Sequence, residues 1–378
     1  MRTTGSESGT RGGALVLEDG FRAEGLLFGS QEAAGGEVVF NTGMVGYPEA
    51  LTDPSYHGQI LVMTYPMIGN YGVPDLTHDQ YGLPVGFESE KIQVTGLVVC
   101  EHSDFPSHFS STRTLDQWLS EQNVSGLWGV DTRALTRRLR ASGTAPGGIV
   151  LSEGKLPNGS DQAEMYSVSI TEPMLSSHHG DAAPQVVLVD CGCKASIHRS
   201  LLAKGMNVVR VPHDHPFSEM EYDGLVLSNG PGDPTEWQET VLQTEMALKR
   251  DEPVLGICLG HQLIALAAGA TTYKMKYGHR SQNQPCLESR GDPARCLLTS
   301  QNHGYAVEEA SLPEDWEVWF SNVNDMTVEG IRHRSRPLEG VQFHPEASPG
   351  PLDAKWIFDG FAASVSELTA KRKGGARS

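Results

Sequence analysis

The 378-residue sequence predicts an α/β protein in two parts. A C-terminal, mostly parallel sheet with flanking helices is preceded by an α+β, β-rich N-terminal domain. Three observations lead there. After residue 185, continuous apolar runs alternate with helical segments, the pattern of a parallel sheet covered on both faces. Before residue 150, the apolar runs are short and are broken repeatedly by turn residues. Between the two, residues 151–184 are rich in Ser, Gly and Pro, the composition of a linker.

Taken in order, residues 1–13 are polar and glycine-rich and are expected to be flexible. The N-terminal domain, 14–150, holds the expected strands ALVLEDG, EVVFNTG, QILVMTYP and VTGLVVCE. Helices are expected over STRTLDQWLSEQ and DTRALTRRLRASG. The second domain, 185–370, starts with the strand QVVLVDCG and a helix around KASIHRSLLAKG. NVVRVP and YDGLVLSNGPGDP follow as strands, then a helix through TEWQETVLQTEMALKR and the strand EPVLGICLG. A basic tail, 371–378, is expected to be flexible. In parallel sheets functional groups gather beyond the carboxyl ends of strands, where SNGPGDP and GICLGHQ both fall.

Composition narrows the function. With 47 acidic and 29 basic residues the formal charge is −18, which repels nucleic-acid phosphates and anionic lipid. No nucleic-acid or membrane partner is expected. There is no apolar run of membrane-spanning length and no apolar signal core at the N-terminus, so the expected location is cytoplasmic. Six cysteines in so long a chain make no disulfide framework. Cys191 and Cys193 form C-x-C without a second pair, and no metal is expected.

Three segments carry chemistry. In VLGICLGHQL, Gly256 and Gly260 flank Cys258 at a strand-to-helix junction, the cysteine form of a nucleophile elbow. The helix N-terminus behind the sulfur favours thiolate and can hold the oxygen of a tetrahedral intermediate. An inert cysteine at a close-packed corner fits the same residues. In LEGVQFHPEASPGP, an apolar strand ends at His344 and Glu346 follows one proline later, close enough to orient the imidazole. A surface His-Pro-Glu turn is the alternative. SNGPGDP offers accessible backbone amides around Pro231, or an ordinary turn.

In this order the three segments resemble the class I (triad) glutamine amidotransferases. MVGYPEALTDPSY, TYPMIGNYG, GVDTRALTRRLR, MKYGHRSQNQP, TSQNHGYAV and HPEASPGP resemble the glutaminase small subunit or domain of carbamoyl phosphate synthetase. The similarity runs from about residue 14 to about residue 363. GYPEALTDPSY and YKMKYGHRSQNQPC are most similar to the pyrimidine-pathway enzymes of eukaryotes, in which the glutaminase is commonly fused to the synthetase.

The resemblance implies a glutaminase that forms a thioester and feeds ammonia to a carbamoyl phosphate synthetase large subunit or domain, fused or separate. Cys258 would be the nucleophile, His344 the proton carrier and Glu346 its orienting partner. The amides of Gly232 and Leu259 would form the oxyanion hole. L-glutamine would be held by Ser55, Gly230, Gly232, Leu259, Gln262, Asn302, Gly304 and Tyr305. The chain itself would need no cofactor, with ATP, magnesium and potassium on the synthetase partner. Residues 14–150 would dock that partner. Two departures stand out. Tyr305 replaces a usual phenylalanine, with its backbone still able to serve. DCGCKASIHRSL departs from the family's usual lysine–aromatic–asparagine run. That segment is expected to lie away from the triad and to affect only local packing or an interface.

Overall fold

The computed structural model describes residues 11–151, 154, 156–157, 162–289 and 294–375. Contacts divide the chain into two compact units. One comprises residues 1–52, 56–76 and 90–161, the other residues 53–55, 77–89 and 162–378. Two short pieces from the N-terminal half thus belong with the second unit, because their hydrogen bonds lie there.

The first unit is built on a closed barrel. Its strand order is Gly12–Leu17, Ala145–Leu151, Ala34–Asn41, Gln59–Met63, Gly96–Val98, Ser125–Trp128 and Arg22–Gly29. Closure removes the free edges that an open sheet must protect. Leu15, Val38, Ile60, Leu97, Leu127 and Ile149 are buried among these strands. The four apolar runs singled out in the sequence all form barrel strands. The other three strands carry Gly25, Gly126 and Gly147, which weaken a strand signal. Packing explains them: a Cβ on Gly126 would collide with the Phe28 ring.

Local chemistry sets the barrel's helices. Leu115–Glu121 starts with a capping box between Thr114 and Gln117. Thr132–Ser142 is capped by Asp131 and buries Leu135 and Leu139, four residues apart on one face.

The second unit is a ten-stranded mixed sheet. Its centre is parallel, in the order Asn207–Pro212, Gln185–Asp190, Gly224–Leu227, Val254–Ile257 and Leu338–Val341. Beyond Leu338–Val341 it continues antiparallel through Val328–His333, Trp316–Asn322, Thr272–Glu288 and Cys296–Val307. Val186 and Leu188 face one core with Ile197 and Leu201 of the helix Ala195–Ala203 and Phe358 and Phe361 of the helix Trp356–Gly375. Val187 and Val189 face the other, with Leu259 and Leu263 of the helix Leu259–Ala267 and Ala247 of the helix Gln238–Ala247. Alternate residues of one strand therefore supply both cores, which is why the run is continuously apolar. No helix among the described residues is long and apolar enough to cross a membrane.

Three boundaries differ from expectation. Within the expected linker, Met174–Ser176 forms a strand antiparallel to Asn207–Pro212, satisfying backbone groups of an edge that would otherwise be open. The last helix extends to residue 375, into the expected flexible tail. Ile357, Phe361 and Val365 bury one of its faces, and Arg372 donates to the Tyr222 carbonyl at 3.2 Å. At the other end a strand already begins at Gly12. Residues 1–10, 376–378 and the linker positions 152–153, 155 and 158–161 lie outside the described residues, as do residues 290–293.

The antiparallel flank contains a buried charge network. His279 sits between Glu329 at 3.0 Å and Asp325 at 2.8 Å. Burial alone would lower its pKa, but hydrogen bonds to Asp325 and Glu329 outweigh that and raise it to about 9. The folded value exceeds the roughly 6.5 of a free imidazole. The network's stabilisation is therefore complete below about pH 6.5 and is lost as pH rises through about 9. Denaturant midpoints should fall across that window. His279→Ala should remove that slope and destabilise by about 3–5 kcal/mol, because Glu329 is left buried without its cation. A pH-independent midpoint in the wild type would refute this.

Candidate active site

The elbow is a backbone constraint before it is a chemical one. All four residues of the strand Val254–Ile257 are buried, and the helix Leu259–Ala267 starts one residue after it ends. Cys258, the residue between, has φ 55° and ψ −103°, outside the usual regions for a side chain other than glycine. Such a residue costs about 1–3 kcal/mol and persists only where its surroundings fix it. The glycines do the fixing. A Cβ on Gly256 would strike the Gly260 carbonyl, and one on Gly260 the Leu227 carbonyl. The Cys258 amide donates to the Val341 carbonyl of the neighbouring strand at 2.9 Å. Its sulfur lies 3.6 Å from the Asn302 carbonyl and accepts from Gln342 Nε2 at 3.7 Å.

That neighbouring strand, Leu338–Val341, leads to His344, whose amide donates to the Ser300 carbonyl at 2.9 Å. His344 Nδ1 donates to Glu346 Oε1 at 2.6 Å. Nε2 is buried, and the Cys258 side chain lies within hydrogen-bonding reach of the ring. Lys194 Nζ donates to the same Glu346 oxygen at 2.9 Å and to the Ala347 carbonyl at 2.8 Å. Lys194, His344 and Glu346 are all buried. Burial penalises each charge, but their attraction wins. The imidazole pKa is raised chiefly by Glu346, and the carboxyl pKa is lowered by Lys194 and His344.

Lys194 corrects the expectation that DCGCKASIHRSL lies away from the triad. The strand Gln185–Asp190 delivers it from beyond its carboxyl end, as neighbouring strands deliver residues 228–232, Cys258 and His344. Spacing along the chain gives no sign of this, since Lys194 and Glu346 are 152 residues apart. Cys191 and Cys193 of the same segment are buried, and burial pushes both thiols well up.

The expected glutamine-binding positions fall mostly into linked groups. Ser55 Oγ accepts from Asn229 Nδ2 at 2.9 Å. Asp53 accepts from Asn302 Nδ2 at 3.0 Å and from the Ser55 amide at 2.9 Å. Gln262 donates to the Tyr305 carbonyl at 2.8 Å and to Gln342 at 2.9 Å. Gly230 is required sterically, since a Cβ would strike the Cys191 carbonyl, and Gly232 has φ 83°, a conformation that disfavours any side chain. Leu259 opens its helix, where amides have no intrahelical acceptor. Gly304 lies in the strand Cys296–Val307, beside Arg280.

Sequence reasoning missed Asp53, Asn229, Gln342 and Lys194. Asp53 and Gln342 each stand two residues before a residue that was named, and that spacing was the available signal. Three groups able to ligate metal, His279, His303 and Glu329, lie within 4.8 Å of one another. Both ring nitrogens of His279 face carboxylates, so the network holds an imidazolium there. Burial and the positive His279 keep His303 neutral.

Comparison with known proteins agrees with this geometry. The family described as glutamine amidotransferase class-I matches residues 187–364. The family described as carbamoyl-phosphate synthase small chain, CPSase domain, matches residues 15–149. The multifunctional protein CAD of Squalus acanthias is 50% identical over 94% of this chain and 16% of its own length. The carbamoyl phosphate synthase arginine-specific small chain of Neosartorya fischeri is 44% identical over 95% of this chain and 81% of its own. The multifunctional protein pyr-3 of Neurospora crassa is 43% identical over 94% of this chain and 21% of its own. The chain thus spans about a fifth or less of the two multifunctional relatives, and most of the small chain. It belongs to the carbamoyl-phosphate synthase small-chain family, and its second half is a class I glutamine amidotransferase domain.

Proposed function

We propose that this chain hydrolyses L-glutamine and supplies the ammonia to a carbamoyl phosphate synthetase large subunit or domain. The observation that carries the reading is Cys258 at a strained elbow, with the His344–Glu346 pair at the end of the adjacent strand.

The chemistry follows from these positions. Cys258 passes its proton to His344 Nε2, the ring nitrogen that does not face Glu346, and the sulfur attacks the carboxamide carbon. Negative charge moves to the amide oxygen, which the Gly232 and Leu259 amides receive. The carbon–nitrogen bond then breaks as His344 protonates the leaving amine, giving ammonia and a γ-glutamyl thioester. Water, deprotonated by His344, cleaves the thioester to glutamate and frees the sulfur. Glu346 keeps Nδ1–H as donor throughout, which leaves Nε2 to exchange protons. Ser55, Gly230, Gln262, Asn302, Gly304 and Tyr305 hold the amino-acid end of glutamine.

No step requires a cofactor on this chain; ATP, magnesium and potassium act on the synthetase partner. The 50% identity to a multifunctional protein and the GYPEALTDPSY wording support a pyrimidine-pathway role in the cytoplasm, fused or free. The arginine pathway is the other destination that the relatives name. Residues 14–150 form the docking domain.

Cys258→Ser should abolish glutamine-dependent carbamoyl phosphate synthesis in the assembled enzyme while leaving ammonia-dependent synthesis intact, because an alcohol ionises far less readily than a thiol. Near-normal glutamine hydrolysis by the serine variant would remove Cys258 from the mechanism. His344→Asn should lower kcat by about a hundredfold or more, and Glu346→Gln by less, since the carboxylate orients rather than exchanges the proton. Full activity in both would leave only a cysteine in a tight turn. Glutaminase turnover by the chain alone should be weak and should rise when the synthetase is added. Charge substitutions on the surface of residues 14–150 should weaken that association, measured by calorimetry, without unfolding the chain. Turnover indifferent to the partner, with unaltered binding, would end the docking assignment.

A further inference from the structure

Glu88 is a second buried carboxylate in the same unit, 1% exposed. Its Oε2 accepts from the Ser196 amide at 3.1 Å and the Ser196 hydroxyl at 2.5 Å. Its backbone carbonyl accepts from the Ala195 amide at 2.9 Å. The Ser348 side chain hydrogen-bonds to the same carboxylate, and Lys194 lies close enough to act on it electrostatically. One side chain thus ties the segment that presents Lys194 to the turn that follows Glu346.

That turn needs tying. Ala347 and Ser348 have φ 60° and 56°, consecutive non-glycine residues in the left-handed region. Each costs about 1–2 kcal/mol against the ordinary backbone. Lys194 secures the Ala347 carbonyl at 2.8 Å, and Glu88 secures Ser348. If the turn relaxed, Glu346 would move relative to His344, and a 2.6 Å charge-assisted hydrogen bond tolerates little displacement.

We propose that Glu88 is a positioning residue for the triad: by clamping residues 194–196 to residues 347–348, it holds Glu346 against His344. It acts through Lys194 and the turn rather than on the substrate. The inference rests on the glutaminase reading for its kinetic part only, because its effect on His344 exists whatever the substrate.

The test uses the full chain with Glu88→Ala and Glu88→Gln, each checked for folding by thermal melting. Readouts are kcat and KM for glutamine and the titration of His344 in histidine-labelled protein. Glu88→Ala should lower kcat about tenfold with KM within about twofold, since glutamine binding is untouched. His344 should lose about tenfold in proton affinity as Glu346 drifts from it. Glu88→Gln, which keeps one acceptor oxygen, should recover most of both. In a Glu346→Gln background, Glu88→Ala should cost no further kcat, whereas a merely structural residue would give the same loss in both backgrounds. Equal losses in the two backgrounds would overturn the proposal. So would unchanged kcat and unchanged His344 titration in a folded Glu88→Ala chain. Should Glu88→Ala not fold, Glu88→Gln decides: a roughly two- to threefold fall in kcat together with weaker His344 protonation supports the clamp, and wild-type values of both refute it. A wild-type chain that does not hydrolyse glutamine would refute the glutaminase reading instead, and the His344 titration would still decide the role of Glu88.

Discussion

A carboxylate taken out of water costs several kcal/mol unless partners surround it with opposite charge and hydrogen-bond donors. The Glu346 side chain has no exposure, and the same oxygen receives His344 at 2.6 Å and Lys194 at 2.9 Å. Those two donors lie at the ends of different strands, Leu338–Val341 and Gln185–Asp190, with two other strands between them in the sheet. The pairing therefore ties the carboxyl ends of the parallel strands together. Any loosening of the sheet there would expose an unpaired charge.

The elbow is strained in the same place. Cys258 holds its φ of 55° because strand and helix approach too closely for any alternative, and because its amide is committed to Val341. Strain at Cys258 and a desolvated charge pair beside it each cost stability. The two apolar cores, fed by alternate residues of Gln185–Asp190, Gly224–Leu227 and Val254–Ile257, offset both costs.

Away from the parallel centre the sheet turns antiparallel, and buried polar groups stand there among the apolar ones. His279, Glu329 and Asn322 are buried there in one hydrogen-bonded set. His303 joins that set to the strand that carries Asn302, Gly304 and Tyr305. The strand that carries Asn302, Gly304 and Tyr305 is thus tied by charges and hydrogen bonds as well as by apolar packing.

Much of this was legible in residue order. Continuous apolar runs marked the parallel strands, Gly256 and Gly260 marked the elbow, and the His-Pro-Glu run marked a pair that the fold joins within one turn. All of these depend on neighbours in the chain, where spacing alone constrains geometry. Lys194 and Glu88 were not legible, because each acts on residues far along the chain: 152 residues for Lys194 and Glu346, 108 for Glu88 and Ser196. The strand in the expected linker was hidden for a similar reason, since Met174–Ser176 gains its conformation from the open edge it covers. Sequence by itself determined most of the elements, the elbow at Cys258 and the His344–Glu346 pair, through local spacing and steric need. Only tertiary structure decided which buried charges would face one another, because desolvated charges choose partners by proximity in space.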